Sequence, residues 1–94
     1  MSNSKRYLTC GVDAEIPLIL QLFMWSCVES LPQERDYLQV FDLSEKDGKQ
    51  CVVHHSEQPE HKAEYLLESD EPITEKLYVI DDGEHSTMLL ASEY

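Results

Sequence analysis

The sequence is poor in glycine and cysteine, and both shortages exclude classes of function. Only three glycines are scattered through 94 residues, so the chain has no glycine-rich loop of the kind that binds phosphate groups. Cys10, Cys27 and Cys51 form no closely spaced pair. This spacing favours reduced thiols in a reducing compartment over a disulfide framework.

Long apolar runs are also missing. The longest, residues 16–28, is interrupted by Pro17, Gln21 and Ser26 and is too short to cross a bilayer. The N-terminus shows no apolar segment of the signal-peptide type. The sequence therefore predicts a soluble, cytoplasmic protein that does not act at a membrane.

Cations are scarce. Lys and Arg number 7 against 19 Asp and Glu, which gives a formal net charge of −12, and most of the excess lies after residue 30. Such a surface repels nucleic acid and anionic membranes and attracts basic partners. We therefore expect a basic protein partner and no direct binding of nucleic acid. Acidity that serves solubility alone is the simpler alternative.

A helix is predicted over residues 13–31. Asp13 can cap its N-terminus, and Pro17 is tolerated because it lies near the start. At about 100° per residue, one broad arc of apolar side chains can face a sheet. The predicted core positions on this arc are Ile16, Ile19, Leu20, Phe23, Met24, Cys27, Val28 and Leu31.

A second apolar stripe lies on the other side of this helix and consists of Leu18, Leu22 and Trp25. It has two interpretations. A curved sheet or a terminal segment could cover it. Alternatively, it is a dimer or partner surface with Trp25 as the anchor, because aromatic side chains are enriched at interfaces. The second interpretation makes all three residues candidates for partner binding, in a monomer or a dimer.

The remaining pattern predicts strands. The β-rich or alternating runs are residues 5–10, 37–43, 50–55, 61–67, 76–80 and 87–91. Asp47-Gly48 and Asp82-Gly83 separate two pairs of these runs and are typical hairpin turns, because such turns require positive φ. We predict a single α+β domain spanning residues 1–94, with one helix packed on a mostly antiparallel sheet of about five or six strands.

The polar cluster around Gly83 could be a catalytic or metal site or only a turn. General acid–base catalysis needs a concave pocket and pKa values perturbed by burial, whereas a hairpin tip is exposed. We favour a turn whose carboxylates, those of Asp81, Asp82 and Glu84, are candidates for partner contacts. No Ser–His–Asp or Cys–His motif has supporting context, so we expect a protein that is not an enzyme.

His54, His55 and His61 are candidate zinc ligands. Side chains alternate along a strand, so His54 and His55 point to opposite faces. A return of the chain could place His61 opposite one of them at about 5 Å, within reach of one zinc ion. Glu57 or Glu60 could add an oxygen ligand. Exposed histidines at a sheet edge are the simpler interpretation.

An acidic strip of seven carboxylates spans residues 57–75, with Lys62 as its one cation. Carboxylates two residues apart on a strand lie roughly 6–7 Å apart, and B-DNA presents a charge about every 3.4 Å along each strand. The strip could therefore mimic nucleic acid and block a basic groove, or it could be a solvated strand face. The candidates for partner binding in it are Glu60, Glu64, Glu68 and Asp70.

Three long stretches carry a resemblance that covers nearly the whole chain. The stretches RYLTCGVDAEIPLILQLFMW, DYLQVFDLS and YVIDDGEHSTMLLASEY resemble a small domain family of unknown function found in Gram-positive bacteria and their mobile elements. The resemblance implies a compact α+β fold and no established reaction. It transfers no catalytic residue to this sequence.

The setting on phages and plasmids, which the resemblance implies, suggests a class of function. Small acidic proteins of such elements commonly inhibit host defence, including RNA-guided CRISPR nucleases with basic nucleic-acid channels. We therefore expect an acidic protein-binding inhibitor of the anti-CRISPR type in the host cell cytoplasm. The alternative is a zinc-binding small regulatory or structural protein.

Overall fold

The structure is a computed structural model that describes residues 5–31 and 37–94. In the described chain, one strand and two helices come first, and five further strands follow. In chain order the elements are β1 Lys5–Leu8, α1 Cys10–Glu15, α2 Leu18–Glu29, β2 Leu38–Lys46, β3 Lys49–Glu57, β4 Glu60–Leu67, β5 Glu75–Asp81, β6 His85–Leu90 and a short 3-10 helix, Ala91–Glu93.

The six strands form one sheet in the order β1-β6-β5-β2-β3-β4. Strands β1 and β6 are parallel, and the other four neighbouring pairs are antiparallel. The helices pack on one face, where their apolar side chains join those of the strands in one core. We call the opposite face the open face. The predicted α+β fold with a mostly antiparallel sheet is therefore confirmed.

Both predicted hairpins are present. Asp47 and Gly48 have φ values of 54° and 75° between β2 and β3, as a tight turn of this kind requires. Gly83 has a φ of 96° between β5 and β6. The Asp-Gly dipeptides thus identified two of the strand connections correctly.

The predicted single helix over residues 13–31 is wrong in detail, because Pro17 divides it into two helices. The ring of a proline disfavours helical backbone at the preceding residue, and Ile16 has an extended conformation with a ψ of 121°. The N-cap of α1 is Thr9, whose hydroxyl accepts from the Val12 N–H. Asp13 lies inside α1 instead of capping it.

The buried face of α2 also differs from the prediction. Ile19 was predicted to be core and is 78% exposed, whereas Trp25, for which a covered and an exposed position were both considered, is 7% exposed. Because α2 is apolar on nearly all sides, its pattern does not define which side meets the sheet. The amide of Gln21 turns inward, where its Nε2 donates to the Ile16 carbonyl at 2.8 Å.

The side chain of Arg6 in β1 lies over Trp25, which is 7% exposed. The guanidinium of Arg6 is 5.2 Å from the centre of the Trp25 ring, a cation–π geometry, and it also pairs with Glu29. Of the two interpretations of this stripe, cover by a terminal segment therefore holds for Trp25, which is not an exposed anchor. Leu18 and Leu22 are 67% and 55% exposed.

Within the described ranges, no helix is long and apolar enough to cross a membrane.

Candidate functional site

Strand β4, at the edge of the sheet, carries two carboxylates of the acidic strip, those of Glu60 and Glu64. It pairs with β3 alone among the described strands, and its residues alternate between exposed and half-buried along its whole length. Its inward side chains are those of His61, Ala63, Tyr65 and Leu67, and its outward ones are those of Glu60, Lys62, Glu64 and Leu66. This is the alternation that the sequence predicted.

Lysines near the β2–β3 turn neutralise part of this strip. Lys46 Nζ lies 3.1 Å from Glu64 Oε2, and Lys49 Nζ lies 3.2 Å from Glu68 Oε2. The hydrogen bond from Lys46, followed by one from the Cys51 thiol, lowers the pKa of Glu64. The strip is consequently less negative at Glu64 and Glu68 than the sequence alone suggests.

The strand register separates the predicted carboxylates into two groups. Leu38 pairs with Ile80 at the start of β2, and Val40 pairs with His55. The β5–β6 and β3–β4 turns therefore lie at one end of the sheet, opposite the β2–β3 turn. Glu60, Asp81, Asp82 and Glu84 lie at the first end, and Glu68 and Asp70 lie at the second.

At the first end, the open face contains a concave site that we call the open-face groove. A cavity of about 460 Å³ is lined by Asp42, His55, Glu57, Glu60 and Lys62, among others. A neighbouring cavity of about 430 Å³ shares part of this lining and adds three apolar residues. These are Tyr37, Leu38 and Val40.

The electrostatics of the open-face groove are dominated by carboxylates. Glu57 and Glu60 are exposed, and Asp42 is half-buried. Asp42 Oδ2 lies 3.0 Å from His55 Nε2, close enough to accept a hydrogen bond from it. Asp42 was not among the residues predicted from the sequence, although its charge interrupts the apolar row begun by Leu38 and Val40, and that interruption was the available signal.

The cluster around Gly83 is a turn whose carboxylates accept backbone hydrogen bonds. Asp81 Oδ1 accepts from the Gly83 N–H at 2.8 Å, and Asp82 Oδ1 accepts from the N–H groups of Glu84 and His85 at 3.1 and 2.9 Å. The hydrogen bond from the His85 N–H, followed by that from Glu84, lowers the pKa of Asp82. The two aspartates hold the turn in shape, and Glu84 is exposed beside them.

The three candidate zinc ligands do not converge. His61 pairs with Ser56 on the core face, and its ring lies 4.9 Å from that of His54. His55 points to the open face and is opposite Lys62. Across the described parts of the chain, no group of three or more His, Cys, Asp or Glu side chains could hold a metal ion. His61 was predicted to approach one of the other two histidines, and it approaches His54, whereas His55 lies on the opposite face. Zinc binding by these residues stays a prediction.

His54 and His61 nevertheless form a polar pair within an apolar region. The His54 ring is 1% exposed and stacks on Phe41 with ring centres 4.4 Å apart. His54 Nε2 lies 2.7 Å from Gln39 Oε1, whereas Nδ1 has no hydrogen-bond partner in the described structure. Burial lowers the pKa of His54 to about 4.

The family of the chain follows from its sequence. The family model described as a Staphylococcal protein of unknown function (DUF960) matches residues 5–93. The chain belongs to this family. The DUF960 match spans both helices and all six strands, and it confirms the predicted resemblance to a small Gram-positive domain family of unknown function.

A solved structure shares the fold of this DUF960 domain. The crystal structure of a protein of unknown function from Enterococcus faecalis is 24% identical and superposes with a TM-score of 0.84. The likeness covers 100% of this chain and 93% of that chain. At this identity it shows the fold alone. No curated protein matches the chain.

Proposed function

We propose that this protein is an acidic, protein-binding inhibitor that occupies a basic surface of another protein. The observation that supports this function best is the open-face groove, where the carboxylates of Asp42, Glu57 and Glu60 surround a concave surface. The chain has a net charge of −12, so its long-range field favours approach by a basic partner.

The groove suits lysine and arginine side chains. Their charged ends would meet the carboxylates, and their apolar stems would lie along Leu38 and Val40, which line the neighbouring cavity. A phosphate backbone would be repelled by the same carboxylates. The proposed mechanism is therefore competition, in which the protein binds a site that nucleic acid would otherwise occupy.

The more specific proposal is an RNA-guided CRISPR nuclease as the partner. Such enzymes hold their nucleic acids in strongly basic channels, to which an acidic groove is complementary. The setting on mobile elements, implied by the family resemblance, supports this choice. The protein would act without catalysis in the host cytoplasm, and it would contact neither nucleic acid nor membrane directly.

Inhibition of DNA cleavage tests this function. We expect the protein to inhibit at least one nuclease in a panel of several CRISPR subtypes at low salt. Glu60→Lys reverses a charge in the groove and should weaken inhibition by about tenfold or more. Glu45→Lys, an exposed strand position outside the groove, is the matched control and should inhibit like the wild type.

Two results would contradict the proposal. If no nuclease of the panel is bound or inhibited, the anti-CRISPR function fails. If the two lysine variants are equally weakened, net charge alone is responsible and the groove has no specific role.

A zinc-binding regulatory or structural role is the second candidate, and the His54–His61 pair favours it. The rings are 4.9 Å apart, and His54 Nδ1 is buried without a hydrogen-bond partner in the described structure. Two imidazoles leave a tetrahedral zinc site incomplete, so further ligands would be required. A native mass spectrum of chelator-free protein tests it: zinc that is lost in His61→Ala would support this role, and a bare chain would exclude it.

A further inference from the structure

Helix α2 exposes three aliphatic side chains on one side. Leu18, Ile19 and Leu22 are 67%, 78% and 55% exposed, and they lie within one turn of each other. Side chains of this kind usually contribute to a core, and a cluster of them on the surface is typical of interaction sites. The described part of the chain leaves this cluster in contact with solvent.

Ile19, at the edge of this cluster, also lines a groove between α2 and the end of β4. Its volume is about 360 Å³, and its apolar lining includes Ile19, Leu20 and Phe23 of α2 and Leu67 of β4. We call it the helix groove. It lies on the helix-covered face of the sheet, so it is separate from the open-face groove.

The apolar lining of the helix groove is held in place by the core. Leu20 is 5% exposed, and the Phe23 ring packs edge-on against Tyr65 with ring centres 5.1 Å apart. The chain between β4 and β5 forms the rim of the groove. Gln50, which is 1% exposed, anchors this rim because its side-chain amide exchanges hydrogen bonds with the backbone of Ile73 at 2.8 and 3.0 Å. A rigid groove of this kind can bind an apolar anchor with little loss of conformational entropy.

The rim of the helix groove is acidic. Glu68 and Glu71 line it, and its described lining includes no Lys or Arg, although Lys49 pairs with Glu68 from outside. Two residues before Pro17, the nearby carboxyl of Glu75 raises the pKa of Glu15. A cation placed near these carboxylates would relieve their repulsion.

We propose that the helix groove binds a basic amphipathic segment of the partner, in which an aliphatic or aromatic anchor is flanked by lysine or arginine. The anchor would enter the space between Phe23 and Leu67, and the flanking cations would meet the rim carboxylates. The choice of a basic occupant rests on the proposed function.

A second copy of this chain fits the helix groove less well. Each copy would bring the same acidic rim and a net charge of −12, so the rims would repel each other at the contact. Apolar contact and charge complementarity act together only with a basic partner. Homodimerisation through Leu22 is consequently an outcome that would overturn the proposal.

The test uses two short peptides with identical leucine and lysine content. In one, the leucines recur at helical spacing on a single face, and in the other the order is scrambled. Each is titrated into 15N-labelled wild-type protein and followed by amide chemical shifts and fluorescence anisotropy. We expect the amphipathic peptide to bind at least about tenfold more tightly, with shifts around Ile19, Leu22 and Leu67.

Substitutions in the protein show which side chains contribute to binding of the amphipathic peptide. Ile19→Ser combined with Leu22→Ser should weaken the amphipathic peptide by about tenfold or more, because both substitutions remove exposed apolar contacts. Both side chains are exposed, so the fold should survive, as an unchanged amide spectrum would show. Leu66→Ser, at a site 45% exposed on the open face, is the matched control and should bind like the wild type.

Four outcomes would overturn the inference: equal affinity of the two peptides, shifts confined to the open face, no binding, or a dimer in sedimentation that Leu22→Ser dissociates. The proposed inhibition is judged separately, by the cleavage assay. If the Ile19→Ser/Leu22→Ser variant still inhibits the nuclease and no peptide binds in the helix groove, this inference fails and the proposed function stands. Peptide binding in the groove without inhibition of any nuclease refutes the proposed function alone.

Discussion

His54 lies between Phe41 of β2 and His61 of β4, with 1% of its surface exposed. Burial, with smaller effects from the charges of His61 and His55, lowers its pKa from 6.5 to about 4. In the unfolded chain the imidazole returns to water and regains its ordinary pKa. The unfolded state therefore binds a proton at a pH where the folded state does not.

This difference predicts a specific pH dependence. The neutral His54 contributes its full stability above about pH 6.5, and the contribution falls by about 3 kcal/mol as pH drops to about 4. His54→Gln cannot titrate, so the free energy of unfolding of the wild type should fall relative to that of the variant over this range. Urea unfolding at several pH values measures the gap, and parallel curves would contradict the assigned pKa.

The environment of a single residue was predicted well only where its contacts are with residues close to it in the sequence. The alternation along β4 identified the outward position of Glu64, but not the ion pair with Lys46, which the β2–β3–β4 register creates. The sequence left open whether Trp25 is covered, because Arg6, which covers it, belongs to a different element. Contacts between distant segments are not encoded in hydrophobic periodicity.

At the scale of elements, Glu93 connects the C-terminal 3-10 helix to the start of α1. Its carboxylate accepts from the Thr9 hydroxyl at 2.5 Å and from the N–H groups of Gly11 and Leu90 at 3.2 and 3.0 Å. A negative charge is favourable beside a helix N-terminus. The bond from Thr9, followed by those from Leu90 and Gly11, keeps the pKa of Glu93 below its usual value.

Glu93→Ala should loosen this connection. The N–H groups of Gly11 and Leu90 would lose their acceptor, so we expect a lower melting temperature and faster hydrogen exchange in α1. Because the folded pKa is depressed, the stabilisation is present above the ordinary carboxyl pKa of 4.5 and is lost as pH falls through the folded value. Glu84→Ala is the exposed control, and equal exchange of α1 in both variants would contradict the connection.

The elements themselves were largely predictable, because hairpins depend on local turn chemistry. Asp47-Gly48 marks its turn by backbone conformation alone. The division of the helix at Pro17 could also have been inferred locally, because a proline disfavours helical backbone at the residue before it. The parallel pairing of β1 with β6 could not, since it joins residues about 80 positions apart and depends on how the whole sheet assembles.

At the scale of the whole molecule, the net charge could be predicted from the sequence, but the distribution of the charged groups over the surface could not. The net charge of −12 needs only composition. The gathering of Asp42, Glu57 and Glu60 around one concavity depends on the register of three strands. The acidic strip was accordingly predicted as one surface, whereas the structure divides its carboxylates between the two ends of the sheet.

The proposed function predicts competition with nucleic acid, and measuring this competition tests it most directly. Fluorescently labelled DNA is loaded on a guide-bound CRISPR nuclease at low salt, and its anisotropy is followed as the protein is added. For a nuclease that the protein inhibits, we expect displacement of the DNA by the wild type and by Glu45→Lys, and little displacement by Glu60→Lys. Inhibition of cleavage with the DNA still bound, or equal displacement by both variants, would contradict occupation of the basic channel through the open-face groove.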